Sequence, residues 1–191
     1  FIFLVSCSRQ VNHFAYQDVK NHRLDNKQEE VDSTVIKMIL PYKTSLDVKM
    51  NEVIGYNQNE MVKAKPSSSL TNWVCDAIKI SYEKKSGQSL DAVLQNYGGI
   101  RINSVSAGDI TVGKIYEIMP FENNFVVLEC DYNIVNQLFQ KIAQSGGWPI
   151  SSNSSMIIKD SLATEIVLNG HLIEPGKTYK NEAQEIFHLL Q

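Results

Sequence analysis

The chain has 191 residues, of which 43% are hydrophobic, enough for one domain with a sizeable core and a short appendage before it. A net charge of -3, from 18 Lys+Arg against 21 Asp+Glu, provides no basic field to draw in a phosphate backbone, which disfavours a polymeric nucleic-acid partner. No stretch approaches the roughly 20 apolar residues that span a bilayer, and there is no heptad or solenoid period.

At the start of the chain, Phe1, Ile2, Phe3, Leu4, Val5 and Ser6 form an apolar run that stops at Cys7, in the manner of a signal peptide's hydrophobic region. Leu4-Val5-Ser6-Cys7 resembles a bacterial lipobox, in which the Cys7 thiol is acylated. The alternative is a buried first strand. Residues 8–30 are polar and aperiodic and read as a tether. The expected organisation is a signal-peptide remnant over 1–7, the tether over 8–30 and one domain over 31–191. The expected location is the bacterial cell envelope, periplasm or outer membrane, with a lipid anchor. Cys75 and Cys130 have no metal-binding spacing and read as buried small hydrophobes.

Within the domain, Val35, Ile36, Ile39 and Leu40 recur at helical spacing over 31–50, with Pro41 expected to end or kink the helix. A short strand follows over 52–56. The serines at 67–69 offer caps for a second helix with Leu70, Trp73, Val74, Ala77, Ile78 and Ser81 on one face, closed by Lys84, Lys85 and Gly87. An apolar strand, Ala92-Val93-Leu94, runs straight into Asn96-Tyr97-Gly98-Gly99-Ile100-Arg101, a glycine pair at which the backbone turns and can approach a ligand. Residues 108–111 and the strand-like stretch 114–118 precede the turn Pro120-Phe121-Glu122-Asn123 and a strand over 125–130. Ile134, Val135, Leu138, Phe139 and Ile142 predict a third helix, stopped by Gly146 and Gly147. Asn169-Gly170 predicts a tight hairpin between 165–168 and 171–173. Helices and strands mix without strict alternation, so the class is α+β with a mixed sheet.

Metal chemistry finds no support in this sequence. A two-metal phosphoesterase needs several His, Asp and Asn ligands. Only His13, His22, His171 and His188 are present, without His-x-His or Asp-x-His spacing, and no metal site is expected. There is no G-x-S-x-G, G-x-G-x-x-G or H-E-x-x-H motif. The stretch from Gly170 to Thr178 mimics a P-loop but carries one residue too many between its glycines, so Glu174-Pro175-Gly176-Lys177 reads as a β-turn.

Two motifs remain. Asn96 to Arg101 offers an amide, backbone N–H groups at Gly98 and Gly99, and a guanidinium. The second presents Phe121 on a proline-fixed turn for stacking a planar ring, with Asn123 beside it. The bland alternative is a glycine turn with an Arg–carboxylate pair and a core phenylalanine.

In order and spacing these motifs, together with Gly108-Asp109-Ile110-Thr111, resemble the C-terminal domain of 5'-nucleotidases and the related UDP-sugar hydrolases and cyclic phosphodiesterases. The resemblance covers most of residues 50–180. It implies that Asn96, Gly98, Gly99 and Arg101 contact the substrate and that Phe121 stacks on the base with Asn123 nearby. It also implies a separate metallophosphoesterase chain, carrying two divalent metal ions, for the chemistry of nucleotide catabolism. Tyr97 stands where the usual pattern has Gly and narrows the approach. Lys63 and Lys65 lie near where many members place a phosphate-side Arg. After Tyr179-Lys180 the family continues into a loop with a second stacking aromatic and a ribose-binding Asp, whereas residues 181–191 here look helical. The function expected from the resemblance is the recognition half of a hydrolase; the alternative is a non-catalytic nucleoside-binding or structural envelope lipoprotein.

Overall fold

A computed structural model describes residues 33–122 and 124–183. The Cys7 lipobox, the tether over 8–30, Asn123 and the chain from Gln184 onward, with His188, lie outside the described residues. Contacts divide the chain into two units, 1–42 and 43–191.

Helix α1 is Ser33–Met50 and includes Pro41 within its length. The expected helix is there, but Pro41 does not end it. A proline removes one intrahelical hydrogen bond without preventing helical geometry on either side. None of the residues of α1 is buried, so the helical spacing of Val35, Ile36, Ile39 and Leu40 does not mark a core face.

The elements that follow are β1 (Val53–Asn57), β2 (Met61–Val62), α2 (Ser69–Ser86), β3 (Ala92–Leu94), a single 3-10 turn (Tyr97–Gly99), β4 (Ser104–Val105), β5 (Gly108–Thr111), α3 (Val112–Ile118) and β6 (Val126–Asp131). Then come α4 (Tyr132–Gln144), β7 (Ser155–Lys159), β8 (Leu162–Leu168), β9 (His171–Leu172) and β10 (Thr178–Ala183). Helices and strands are mixed, and the class is α+β as expected.

The main sheet has the order β3-β10-β6, with β10 parallel to β3 and antiparallel to β6. This central position explains why residues 181–183 form strand where a helix was expected. Asn181 pairs with both Ala92 and Leu128, and Ala183 with both Leu94 and Val126, so two neighbours satisfy the backbone. The Asp91 carboxylate accepts from the backbone N–H of Lys180 at 2.7 Å, fixing the entry of β10 beside β3.

Helix α4 covers this sheet because Val135, Leu138, Phe139 and Ile142 fall on one face, and all four are buried. Its first turn is capped by Asp131, whose carboxylate accepts from the N–H of Ile134 at 2.9 Å. The meander β7-β8-β9 adds Ala163, Ile166 and Leu168 to the same core. Asn169 and Gly170 have left-handed φ angles of 49° and 79°, as a two-residue hairpin turn requires.

A second core gathers Leu70 and Val74 of α2 with Ile100, Val105 and Ile118. Ile118 comes from α3, where the strand-like stretch 114–118 is in fact helical. Thr111 caps that helix, its hydroxyl accepting from the N–H of Lys114 at 3.2 Å, and Ile115 and Ile118, three residues apart, turn to the core.

Candidate functional site

The fully buried strand β3 continues into buried Gln95 and then leaves the core at Asn96. The Asn96 side-chain oxygen accepts from the Gly98 N–H at 3.0 Å, and the Asn96 carbonyl accepts from the Gly99 N–H at 2.9 Å, closing the 3-10 turn. Neither Gly98 nor Gly99 has a left-handed backbone. A Cβ on Gly98 would meet only the Asn96 side chain, at an ordinary 3.5 Å. Within the described residues, neither backbone geometry nor packing requires Gly98 to be glycine.

Two anchors hold the far side of the loop. Ile100 is fully buried in the second core, and the Arg101 N–H donates to the Ile118 carbonyl at 2.8 Å. Arg101 therefore starts at the C-terminal end of α3, and Phe121 follows three residues after that helix. The Arg101 guanidinium lies 5.8 Å from the centre of the Phe121 ring and makes a long 3.5 Å contact to the Gly98 carbonyl. The bland alternative fails on both counts among the described residues. Phe121 is 63% exposed rather than in a core, and Arg101 makes no ion pair with a carboxylate.

Beside the loop stand two lysines. Antiparallel pairing of β2 with β4 sets Met61 against Val105 and Val62 against Ser104, and the Lys63 N–H goes on to donate to the Asn103 carbonyl at 2.8 Å. That register carries the Lys63 side chain along the loop, where its ammonium donates to the Ile100 carbonyl at 2.6 Å and lies 4.2 Å from the Tyr97 ring centre. Burial, and then the neighbouring Arg101 charge, hold the Lys63 ammonium below its usual pKa. Lys65 lies 5.0 Å from the centre of the same ring and donates to the Ser145 carbonyl at the end of α4.

The structure thus brings together Asn96, Gly98, Gly99, Arg101 and Phe121, while Asn123 lies outside the described residues. The clustering of Lys63 and Lys65 on Tyr97 went unanticipated. Its sequence signal was weak, two lysines upstream of α2 and a tyrosine in place of a glycine.

An apolar groove of about 600 Å³, lined by Trp73, Ile78, Tyr82, Ile115, Met119 and Phe125, contains none of the expected contact residues. The predicted face of α2 lines this groove through Trp73, Val74, Ala77, Ile78 and Ser81, and only Leu70 and Val74 of that face are buried. Cys75 and Cys130 are both buried, and burial pushes the Cys75 thiol up in pKa, which disfavours its thiolate. Among the described residues no group of three or more His, Cys, Asp or Glu could hold a metal ion.

The sequence matches the family described as "5'-nucleotidase, C-terminal domain" over residues 52–180, two thirds of the chain and all of the elements around the loop. The chain belongs to the 5'-nucleotidase C-terminal domain family. UshA of Salmonella pullorum is 29% identical over 142 residues, covering 72% of this chain and 25% of the relative. UshA of Escherichia coli is 25% identical over 174 residues, covering 86% of this chain and 30% of the relative. The fold resembles that of a 5'-nucleotidase precursor from Thermus thermophilus, with a TM-score of 0.59 and 20% identity over 82% of this chain and 33% of that one. The chain spans between a quarter and a third of the length of these relatives.

Proposed function

We propose that this chain is the nucleotide-recognition half of a 5'-nucleotidase-type hydrolase and that a metallophosphoesterase domain or chain, bearing two divalent metal ions, supplies the chemistry. The observation that carries the reading is the exposed Phe121 ring beside an Arg101 that no carboxylate pairs, on a loop whose anchors are buried. Phe121 takes the face of the base, Asn123 its edge, and the turn held by Asn96 offers Gly98, Gly99 and Arg101 to the sugar and its phosphate. The donors present among the described residues do not fit a two-metal centre, so no hydrolytic step is assigned to them.

Export to the cell envelope with a lipid on Cys7 belongs to the same proposal and rests on Leu4-Val5-Ser6-Cys7. No helix among the described residues is long and apolar enough to cross a membrane.

The test is a reconstitution. The full chain, expected to be inert alone with Mn²⁺ or Zn²⁺, is mixed with a separately produced metallophosphoesterase domain of a UshA-type enzyme, and phosphate release from nucleoside monophosphates is followed. Mixing is expected to raise the rate on the order of 100-fold through positioning of the nucleoside. Phe121→Ala should cut that gain about tenfold, the value of one base–aromatic stack. Nucleoside binding with no gain on mixing would instead identify a binding protein that hydrolyses nothing.

A further inference from the structure

The apolar groove runs between α2 and α3, and its walls are only partly covered. Leu70, Thr71, Val74 and Cys75 are the buried residues of α2, so Trp73, Ile78 and Tyr82 stay half-exposed along the groove with Ile115 and Met119 of α3. Apolar surface left in water in one contiguous patch favours an occupant. The chain itself supplies a matching segment. Strand β10 runs antiparallel to β6 and ends at Ala183, paired with Val126, the residue after Phe125 on the groove's rim. One position earlier Glu182 pairs with Val127, which packs in the cluster that includes Ile78 and Tyr82. Residues 184–191 therefore start beside the groove. They carry Ile186, Phe187, Leu189 and Leu190, and Ile186 and Leu190 fall on one face at either helical or strand spacing. Eight residues reach about 12 Å as a helix and about 26 Å extended, against about 18 Å of α2 from Trp73 to Lys85. Lys85, the charged residue of the groove lining, has no carboxylate partner among the described residues, and Glu185 offers the opposite charge.

We propose that residues 184–191 dock along α2 and α3 and fill this groove with Ile186 and Leu190, an interface within the chain that completes the second core. Ile118 lines the groove and also accepts from the Arg101 N–H, so the docked segment backs the helix that anchors the glycine loop. The docking itself does not rest on the nucleotide-recognition reading.

In the full chain, Ile186→Ser together with Leu190→Ser is expected to lower the unfolding temperature by about 5–10 °C, as two large apolar side chains return to water. Ala77→Glu puts a charge into the groove from an exposed position on α2, where Glu suits a helix, and should lower it by a similar amount. Combined with the two serine substitutions it should add little, because both changes break the same contact. In a Trp148→Phe background Trp73 reports alone, and the serine pair should shift its emission to the red and raise its quenching by acrylamide. Should Ala77→Glu fail to fold, the Trp73 reading carries the test. Unchanged unfolding temperature and unchanged Trp73 emission in the serine pair overturn the proposal, as does full additivity with Ala77→Glu. An unfolding temperature that rises with protein concentration in the parent chain, and not in the serine pair, assigns the groove to the segment of a second copy and overturns docking within one chain.

Discussion

Phe139→Ala is expected to destabilise the domain by about 3–5 kcal/mol, read as a lowered urea midpoint with an unchanged slope. Phe139 is fully buried on α4 and packs in the core shared by β3, β6, β8 and β10. Its removal takes away apolar surface and leaves a cavity in a core built from one helix and several strands, which relaxes only partly around it. A domain of this size has about 5–15 kcal/mol in total, so the variant should lose a large share of its stability and melt at a clearly lower temperature. A change below about 1 kcal/mol would mean that α4 does not pack on the main sheet as described.

Gly147→Ala ranks second. The Gly147 backbone has φ of 101°, and an added Cβ would lie 2.7 Å from the Cα of Pro66 and 2.8 Å from its carbonyl oxygen. These are backbone neighbours, which cannot rotate away as a side-chain tip would, so left-handed strain and overpacking combine to cost about 2–3 kcal/mol. The consequence reaches the site. Lys65 precedes Pro66, and displacing Pro66 draws the Lys65 ammonium from the Ser145 carbonyl and the Tyr97 ring. The variant should therefore lose stability and also bind nucleoside monophosphate more weakly. Weakened stability with unchanged nucleotide affinity would separate Lys65 from the ligand.

The sequence revealed elements whose period is long enough to be unmistakable. α4 repeats its apolar residues over three turns and ends at two glycines, and α2 runs from a serine cluster to Gly87, so both were legible. The hairpin at Asn169-Gly170 and the turn at Pro175-Gly176 were legible because those residues favour the positive φ, 79° at Gly170 and 83° at Gly176, that such turns need. The short α3 was not. Five residues from Lys114 to Ile118 fit an alternating strand as well as a helical turn, and what decides is tertiary: the Thr111 cap and the burial of Ile118. Residues 181–183 misled for a similar reason, since their strand exists through pairing on both sides with β3 and β6.

The candidate site was half legible. Asn96 to Arg101 and Phe121 stand in a fixed order and could be picked out together. The lysine pair on Tyr97 could not, because the register of β2 on β4 aims Lys63 and the approach of Pro66 to Gly147 places Lys65. The Asn96 side-chain oxygen accepts from the Gly98 N–H within the turn, a contact that the motif alone did not reveal.

The central claim, that this chain by itself recognises a nucleotide, is tested most directly by calorimetric titration of the full chain with adenosine 5'-monophosphate beside the Phe121→Ala variant. The account predicts saturable one-to-one binding with Kd on the order of 10 μM, weakened about tenfold or more by Phe121→Ala while the unfolding temperature stays unchanged. No saturable heat at millimolar nucleotide, or equal affinity in the variant, would contradict it.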